Sequence, residues 1–255
     1  MTGLIKEEIL SVVKKIRFIV LTAAAFIGLI VMAVITKNKY WNDLTYFFAV
    51  QRYISYVFTP LIGLGLILSM YRKKYTRTSI LQAEDHGMGR AACVITRFIS
   101  GTVILVAGYV IMALFVILLG FVFGAHNTGV QIWQFVLRLA TDCIASIAVY
   151  SASLFWLYLF AFPIVPVLVY GVLMIALPQI SGYLKLYDTK LYRIVAFFIP
   201  KLTGDMAYAD LVYANPGLVT AGVFLLQMII PLLFTMLIFK LKKLKPLKTA
   251  EVQPS

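Results

Sequence analysis

Two ionisable residues, Arg138 and Asp142, stand four positions apart inside a long apolar run. Residues at this spacing are neighbours on one face of a helix. Ionisable side chains at membrane depth are costly, and they usually pair with one another or face an internal cavity. This polar pair could line a substrate path or a subunit interface. The favoured interpretation is that Arg138 extends to the outer headgroups and Asp142 is its local counter-charge.

A second candidate site is the hydrophilic stretch between two apolar runs, RKKYTRTSILQAEDHGMGRAACVITRF. It contains a short apolar segment around Ile80, the charged cluster 84–86 and two glycines, and Arg90 follows. A connection between two helices needs only a few residues. The stretch is therefore either a docking surface for a partner or a solvated basic loop that fixes topology, and composition favours neither.

Common enzyme signatures are missing from the sequence. There is no H-E-x-x-H zinc motif, no G-x-S-x-G nucleophile elbow and no G-x-x-x-x-G-K-[ST] phosphate loop. His86 and His126 are far apart, and Cys93 and Cys143 are interpreted as free thiols rather than as metal ligands or a disulfide. We expect no catalytic residues, no metal site and no cofactor in this chain.

The composition places the protein in a lipid bilayer. Apolar residues make up 62% of its 255 residues and charged residues only 13%, against about 45–50% and about 25% in soluble domains. The formal net charge is +13, but the basic residues cluster beside apolar runs. Anionic headgroups and membrane topology account for them, so we expect lipid contacts and no nucleic-acid partner.

About 20 mostly apolar residues suffice to cross a bilayer, and six stretches meet this requirement. They are Phe18–Thr36, Tyr53–Tyr71, Phe98–Gly124, Val130–Phe160, Phe162–Ile180 and Leu218–Phe239. A tight turn is expected between the fourth and fifth, because Pro163 and Pro166 disfavour a continuous helix. We predict an all-α, polytopic membrane protein with one domain, made of residues 1–17, a six-helix region over 18–240 and a tail over 241–255.

Basic residues predict the orientation of these spans. Fifteen Lys and Arg residues fall on the side that holds both ends of the chain, and seven, Lys201 among them, fall on the other. The richer side is expected to be cytoplasmic. Both termini are therefore predicted to lie in the cytoplasm.

Two further helices are predicted outside the spans. Ile5, Ile9, Val12, Val13 and Ile16 recur at helical spacing, which favours an N-terminal helix lying along the headgroups over a simple extension of the first span. Between the fifth and sixth spans, the apolar stretch Ile194–Pro200 is too short to cross. It is typical of a helix that lies on, or dips into, the outer leaflet.

The layout resembles the membrane subunit of an ABC-2-type exporter, a family of bacterial ABC transporter permeases. The shared features are six spans, the N-terminal amphipathic helix, the short fourth–fifth turn, the helical segment before the last span and the loop pattern of an acid, a glycine and an arginine. In this sequence the pattern falls on Glu84, Gly87 or Gly89, and Arg90 or Arg97. The threonine that usually follows the glycine is missing, as is an extended Leu-Pro run.

This resemblance implies that separate ATPase subunits supply the energy and hold the ATP and magnesium. They would engage the N-terminal helix and the loop, where the expected coupling residues are Ser79, Gln82, Glu84, Asp85, His86, Gly87 and Arg90. A second permease chain, identical or similar, would complete the transporter. The implied function is export of an amphipathic peptide or lipid-like substrate through the cell membrane. A secondary transporter or channel that needs no ATPase is the alternative.

Overall fold

The computed structural model describes residues 2–39, 43–70, 87, 89–122, 129–160, 164–187, 189–212 and 218–241. Within these residues every regular element is helical, and there is no strand. Six helical stretches are long and apolar enough to cross a bilayer: Ile16–Ile35, Ala49–Met70, Arg90–Val122, Ile132–Leu159, Ile164–Ser181 and Thr220–Leu241. The predicted all-α, six-span membrane protein is confirmed.

Eleven α-helices lie within the described ranges, and two π-helical turns join some of them. The helices are α1 Thr2–Val13, α2 Ile16–Lys39, α3 Asp43–Tyr53, α4 Thr59–Met70, α5 Arg90–Val122, α6 Gly129–Phe160, α7 Ile164–Gly171, α8 Leu177–Tyr187, α9 Thr189–Ala196, α10 Pro200–Val212 and α11 Leu218–Leu241. The π turns are Ile54–Phe58, between α3 and α4, and Val172–Ala176, between α7 and α8.

Both π turns are followed by a proline. Pro60 comes two residues after the first turn, and Pro178 comes two residues after the second. A proline inside a helix removes one backbone hydrogen bond, and its ring crowds the carbonyl four residues earlier. Widening the preceding turn relieves this crowding, and such turns are common at functional positions. The second and fifth spans thus continue through their prolines.

The fourth and fifth spans are separate helices that pack against each other. Helix α6 ends at Phe160, α7 begins at Ile164, and the two are in contact. The prediction of two spans instead of one long helix is confirmed. Pro163 and the rest of the connection, residues 161–163, lie outside the described residues.

Helix α1 is distinct from the first span, because the regular helix is interrupted at Lys14 and Lys15. It packs against α5, with further contacts to α2 and α4. Val12 is buried by this packing, whereas Val13 and Ile16 remain exposed. The predicted apolar stripe is therefore divided between the protein and its surroundings, and the headgroup placement of α1 stays a prediction.

The third span begins earlier than the sequence predicted. Helix α5 starts at Arg90 instead of Phe98, so Cys93 and Arg97 belong to the helix and not to a basic loop. Arg97 is only 3% exposed. Its charge does not interrupt the helix because other helices supply its partners.

Helix α10 lies between the fifth and sixth spans in the chain and packs closely along α6 and α11. A small core of Tyr192, Ala196, Ile199 and Leu202 joins it to α9. Gln227 of α11 donates hydrogen bonds to the Phe197 carbonyl at 2.7 Å and to Thr203 Oγ1 at 2.9 Å. The segment predicted to lie on or dip into the outer leaflet thus ends in a helix that is packed into the protein.

Candidate functional site

Four charged side chains on α6 and α10 form a buried group, called here the charge quartet: Arg138, Asp142, Lys201 and Asp205. Arg138 and Asp142 are one helical turn apart on α6, and Lys201 and Asp205 are one turn apart on α10. Lys201 binds Asp142, and Arg138 binds Asp205, so both ion pairs cross between the helices. Two positive and two negative charges leave the group formally neutral.

Each charge of the quartet also has a counter-charge on its own helix. Arg138 Nε lies 3.6 Å from Asp142 Oδ1, and Lys201 Nζ lies 3.8 Å from Asp205 Oδ1. These separations are longer than in the pairs between the helices. The quartet therefore has strong contacts across the seam between α6 and α10 and looser contacts along each helix.

The quartet is buried at one end and partly open at the other. The side chains of Asp142 and Lys201 are 1% and 2% exposed, whereas that of Asp205 is 33% exposed. Asp142 is ten residues beyond the start of its span at Ile132, which is about 15 Å along a helix. Charges at such depth require partners. The crossed pairs provide them.

A chain of hydroxyl groups continues from Asp142 into the core. Ser55, in the first π turn, donates a hydrogen bond of 2.5 Å to Asp142 Oδ2. The Tyr109 hydroxyl donates to the Asp142 carbonyl at 3.2 Å and lies 2.8 Å from Ser146 Oγ and 2.6 Å from Thr59 Oγ1. The second span thus contacts the carboxylate of Asp142 through Ser55, and the third span contacts its backbone through Tyr109. Ser55 lies in the π turn that precedes Pro60.

Aromatic rings enclose the open end of the quartet. The Arg138 guanidinium lies over the Tyr208 ring, 5.2 Å from its centroid, which is a favourable cation–π geometry. Tyr192 of α9 is buried near Asp205. Burial raises the pKa of the Tyr192 phenol above its ordinary value, and the Asp205 charge adds to this effect. Tyr192 is therefore neutral at physiological pH.

Helix α10 can approach α6 closely because it carries glycine at the contact. A Cβ atom at Gly204 would lie 3.3 Å from the Thr141 carbonyl oxygen and 3.4 Å from Ala145 Cβ. Small residues permit such close helix packing in membranes. Gly204 precedes Asp205, and Thr141 precedes Asp142, so the close contact holds the charges of the quartet at bonding distance.

These contacts correct two interpretations of the sequence. Arg138 does not use Asp142 alone as its counter-charge, because its guanidinium binds Asp205 of α10 and its side chain is only 12% exposed. Lys201, counted among the charges of the outer surface, is buried against Asp142. The spacing of Lys201 and Asp205 repeats that of Arg138 and Asp142, and this repeat was the available signal for the missed half of the site.

A second buried charge group, called here the Arg97 cluster, consists of Glu8, Arg97, Tyr150 and Tyr158. Arg97 Nε lies 3.4 Å from Glu8 Oε1 of α1, and its Nη1 donates a 2.6 Å hydrogen bond to the Tyr158 hydroxyl of α6. The Tyr150 hydroxyl donates to the Arg97 carbonyl at 2.9 Å. The cluster thus joins α1 to the third and fourth spans.

Helix α1 is also tied to the second span. Lys15 Nζ, just after α1, donates a hydrogen bond to the Ser69 carbonyl near the end of α4. The side chain of Glu8 is only 10% exposed, and it faces Arg97. Helix α1 is therefore bound to the second and third spans, which lie on either side of segment 71–89 in the chain.

The structure places only part of the predicted coupling site. Ser79, Gln82, Glu84, Asp85 and His86 lie outside the described residues. Gly87 is exposed with a φ of 66°, in the left-handed region that favours glycine. Arg90 is the first residue of α5, whereas Arg97 lies two turns inside the helix. Of the two arginines that fitted the loop pattern, Arg90 is the one that opens the span.

Within the described ranges, no group of three or more His, Cys, Asp or Glu side chains is arranged to hold a metal ion. Cys93 and Cys143 are both free thiols. The chemistry that the described polar residues offer is ion pairing and hydrogen bonding between helices. No family model matches this sequence, and no curated protein is significantly similar to it.

Proposed function

We propose that this protein is the membrane subunit of an ATP-driven exporter of the ABC-2 type. A separate ATPase subunit would bind the ATP and magnesium, and a second permease chain would complete the transporter in a bacterial cell membrane. The proposed substrate is an amphipathic peptide or a lipid-like molecule that enters from the cytoplasm or the inner leaflet. The resemblance in layout supports the substrate class and the partners, and the distribution of basic residues supports the cytoplasmic position of both termini.

The observation that best supports this proposal is the attachment of α1 to the spans. An ATPase that pushes on α1 and on segment 71–89 would act on a helix bound to the third and fourth spans through Arg97 and to the second span through Lys15. Force applied to α1 would then move these spans together. Rigid-body movement of packed helices is a common way to transmit a switch across a protein.

Affinity purification from native membranes tests the proposal. The tagged chain is expected to co-purify with a P-loop ATPase in near-stoichiometric amount. Changing Glu84→Ala together with His86→Ala should reduce the recovered ATPase about tenfold or more, since a lost cluster of charged contacts is worth at least about 1.4 kcal/mol. Lys190→Ala on α9 is the matched control and should leave recovery unchanged. A chain that purifies without any ATPase, under conditions that preserve other transporter complexes, would contradict the proposal.

The charge quartet favours a second candidate function, an ion-coupled secondary transporter. Such proteins carry ionisable residues at membrane depth, and Asp142 and Lys201 are charges of this kind. In liposomes containing the purified chain alone, this alternative predicts a proton or cation flux that Asp142→Asn abolishes. An ATP-driven permease would show no such flux without its ATPase.

A further inference from the structure

The charge quartet contains two sets of ion pairs that use the same four residues. In the first set, Arg138 binds Asp205 and Lys201 binds Asp142 across the seam. In the second set, Arg138 faces Asp142 at 3.6 Å and Lys201 faces Asp205 at 3.8 Å along the helices. The second set needs no contact between α6 and α10.

This arrangement changes what it costs to separate the two helices. Taking away one partner of a buried ion pair usually leaves a stranded charge, and the penalty is several kcal/mol. Here each helix carries its own cation and its own acid four residues apart, a spacing at which side chains pair on a helix surface. When the helices separate, each of the four charges therefore exchanges one partner for another, and none is left without a counter-charge.

The rest of the seam is compatible with separation. Gly204 presents no side chain to Thr141 and Ala145, so no side chain at this position interlocks with α6. Hydrogen bonds from Gln227 of α11 hold Thr203, in the first turn of α10, and the Phe197 carbonyl just before the helix. Asp205, one turn further along, is already one-third exposed. The contacts thus favour a swing of α10 away from α6 about its attachment to α11.

We propose that α10 is a movable element that leaves α6 by exchanging the ion pairs of the charge quartet from between the helices to within them. The open state exposes a polar seam, with Asp142 and Arg138 on one wall and Lys201 and Asp205 on the other. The exchange depends only on residues of this chain. It holds whether the energy for transport comes from a separate ATPase or from an ion gradient.

Cysteine labelling tests the proposal without a known substrate or nucleotide. In a full-length chain with Cys93→Ser and Cys143→Ser, Ala145→Cys places a thiol on the α6 side of the seam, where the residue is fully buried. Ala25→Cys is the control, since Ala25 is equally buried on α2, away from the seam. Sealed membrane vesicles are treated with a small water-soluble methanethiosulfonate reagent.

The expected result is that the Ala145→Cys thiol reacts at least about ten times faster than the Ala25→Cys thiol, because local opening precedes global unfolding. Adding Asp205→Asn should raise the rate at position 145 several-fold and leave position 25 unchanged, since Arg138 loses its partner across the seam but keeps Asp142. Equal rates at both positions, or no reaction at position 145, would overturn the proposal. So would an Asp205→Asn variant in which the rate at position 145 stays the same.

Discussion

The Arg97 cluster and the charge quartet are both buried charge groups, but they connect their helices in different ways. Arg97 has no acid three or four residues away on α5, and Glu8 has no cation at these positions on α1. In the quartet, every charge has such a neighbour. Along α5, Arg97 is about 18 Å from Tyr109, whose hydroxyl donates to the Asp142 carbonyl, at 1.5 Å per residue.

This difference indicates two mechanical roles. Separating α1 from α5 would part Arg97 from Glu8, and neither has an opposite charge three or four residues away on its own helix, so the Arg97 cluster is suited to a permanent connection. Separating α10 from α6 would leave four charges that can still pair, so the quartet is suited to a reversible one. In the proposed transporter, the first connection would receive force and the second would open a path.

The largest expected effect is at the permanent connection. Arg97→Leu should lower stability by about 3 kcal/mol, because it leaves Glu8 buried opposite an apolar side chain. The midpoint of thermal unfolding in detergent measures this loss. Arg97→Leu combined with Glu8→Leu should recover much of it, since the stranded charge is gone. A double variant whose loss equals the sum of the two single losses would show that the residues act independently.

A smaller effect is expected from adding one methyl group beside each charge group. Gly101→Ala should cost about 1–3 kcal/mol by overpacking, because its Cβ would overlap the ring of fully buried Tyr150. Gly204→Ala should cost less, since its nearest contacts are 3.3 and 3.4 Å away and α10 can move outward. Comparison of the two unfolding midpoints tests this order. An equal or larger loss of stability in the Gly204→Ala variant would contradict the proposal that α10 can move away from α6.

Within the quartet, Asp142→Asn should cost about 1–2 kcal/mol. The amide oxygen still accepts from Lys201, the amide NH2 group can donate to the Ser55 hydroxyl, and Lys201 retains Asp205 at 3.8 Å. The variant should therefore be inserted and assembled normally, as measured by its yield and its elution volume in size-exclusion chromatography. Failure to assemble would indicate that the quartet is a permanent support of the fold.

The smallest effect is expected from Asp205→Asn, below about 1 kcal/mol, because partly exposed ion pairs contribute little to stability. Arg138 keeps Asp142 in this variant. The thermal midpoint should be nearly unchanged while labelling at position 145 increases. A large drop in the midpoint would show that the pair between Arg138 and Asp205 is needed for folding.

The sequence predicted the spans well because each is a long apolar run, and an apolar run of that length is typical of a transmembrane helix. It also placed Arg138 and Asp142 on one helix face, since spacing alone determines this. Five of the six spans were correct to within four residues at both ends. The predicted start of the third lies eight residues after the observed one, because Arg90 and Arg97 interrupt the apolar run.

The partners of the polar pair could not be predicted in the same way. Whether Lys201 faces water or Asp142 depends on how α10 packs along α6, which is a contact between residues about 60 positions apart in the chain. Ser55 reaches Asp142 only because the π turn before Pro60 directs it there. Similarly, the burial of Glu8 depends on the docking of α1 against α5. Tertiary packing decides each of these positions, and local sequence patterns do not encode it.

Cysteine labelling can measure directly whether ATP moves α10 through α1. In native membrane vesicles opened to admit nucleotide, labelling of Ala145→Cys is compared with ATP and magnesium and with ADP. We expect a several-fold change with ATP, and loss of that change when Arg97→Leu and Glu8→Leu break the connection of α1. Identical labelling with ATP and ADP in the otherwise unchanged chain would contradict this expectation.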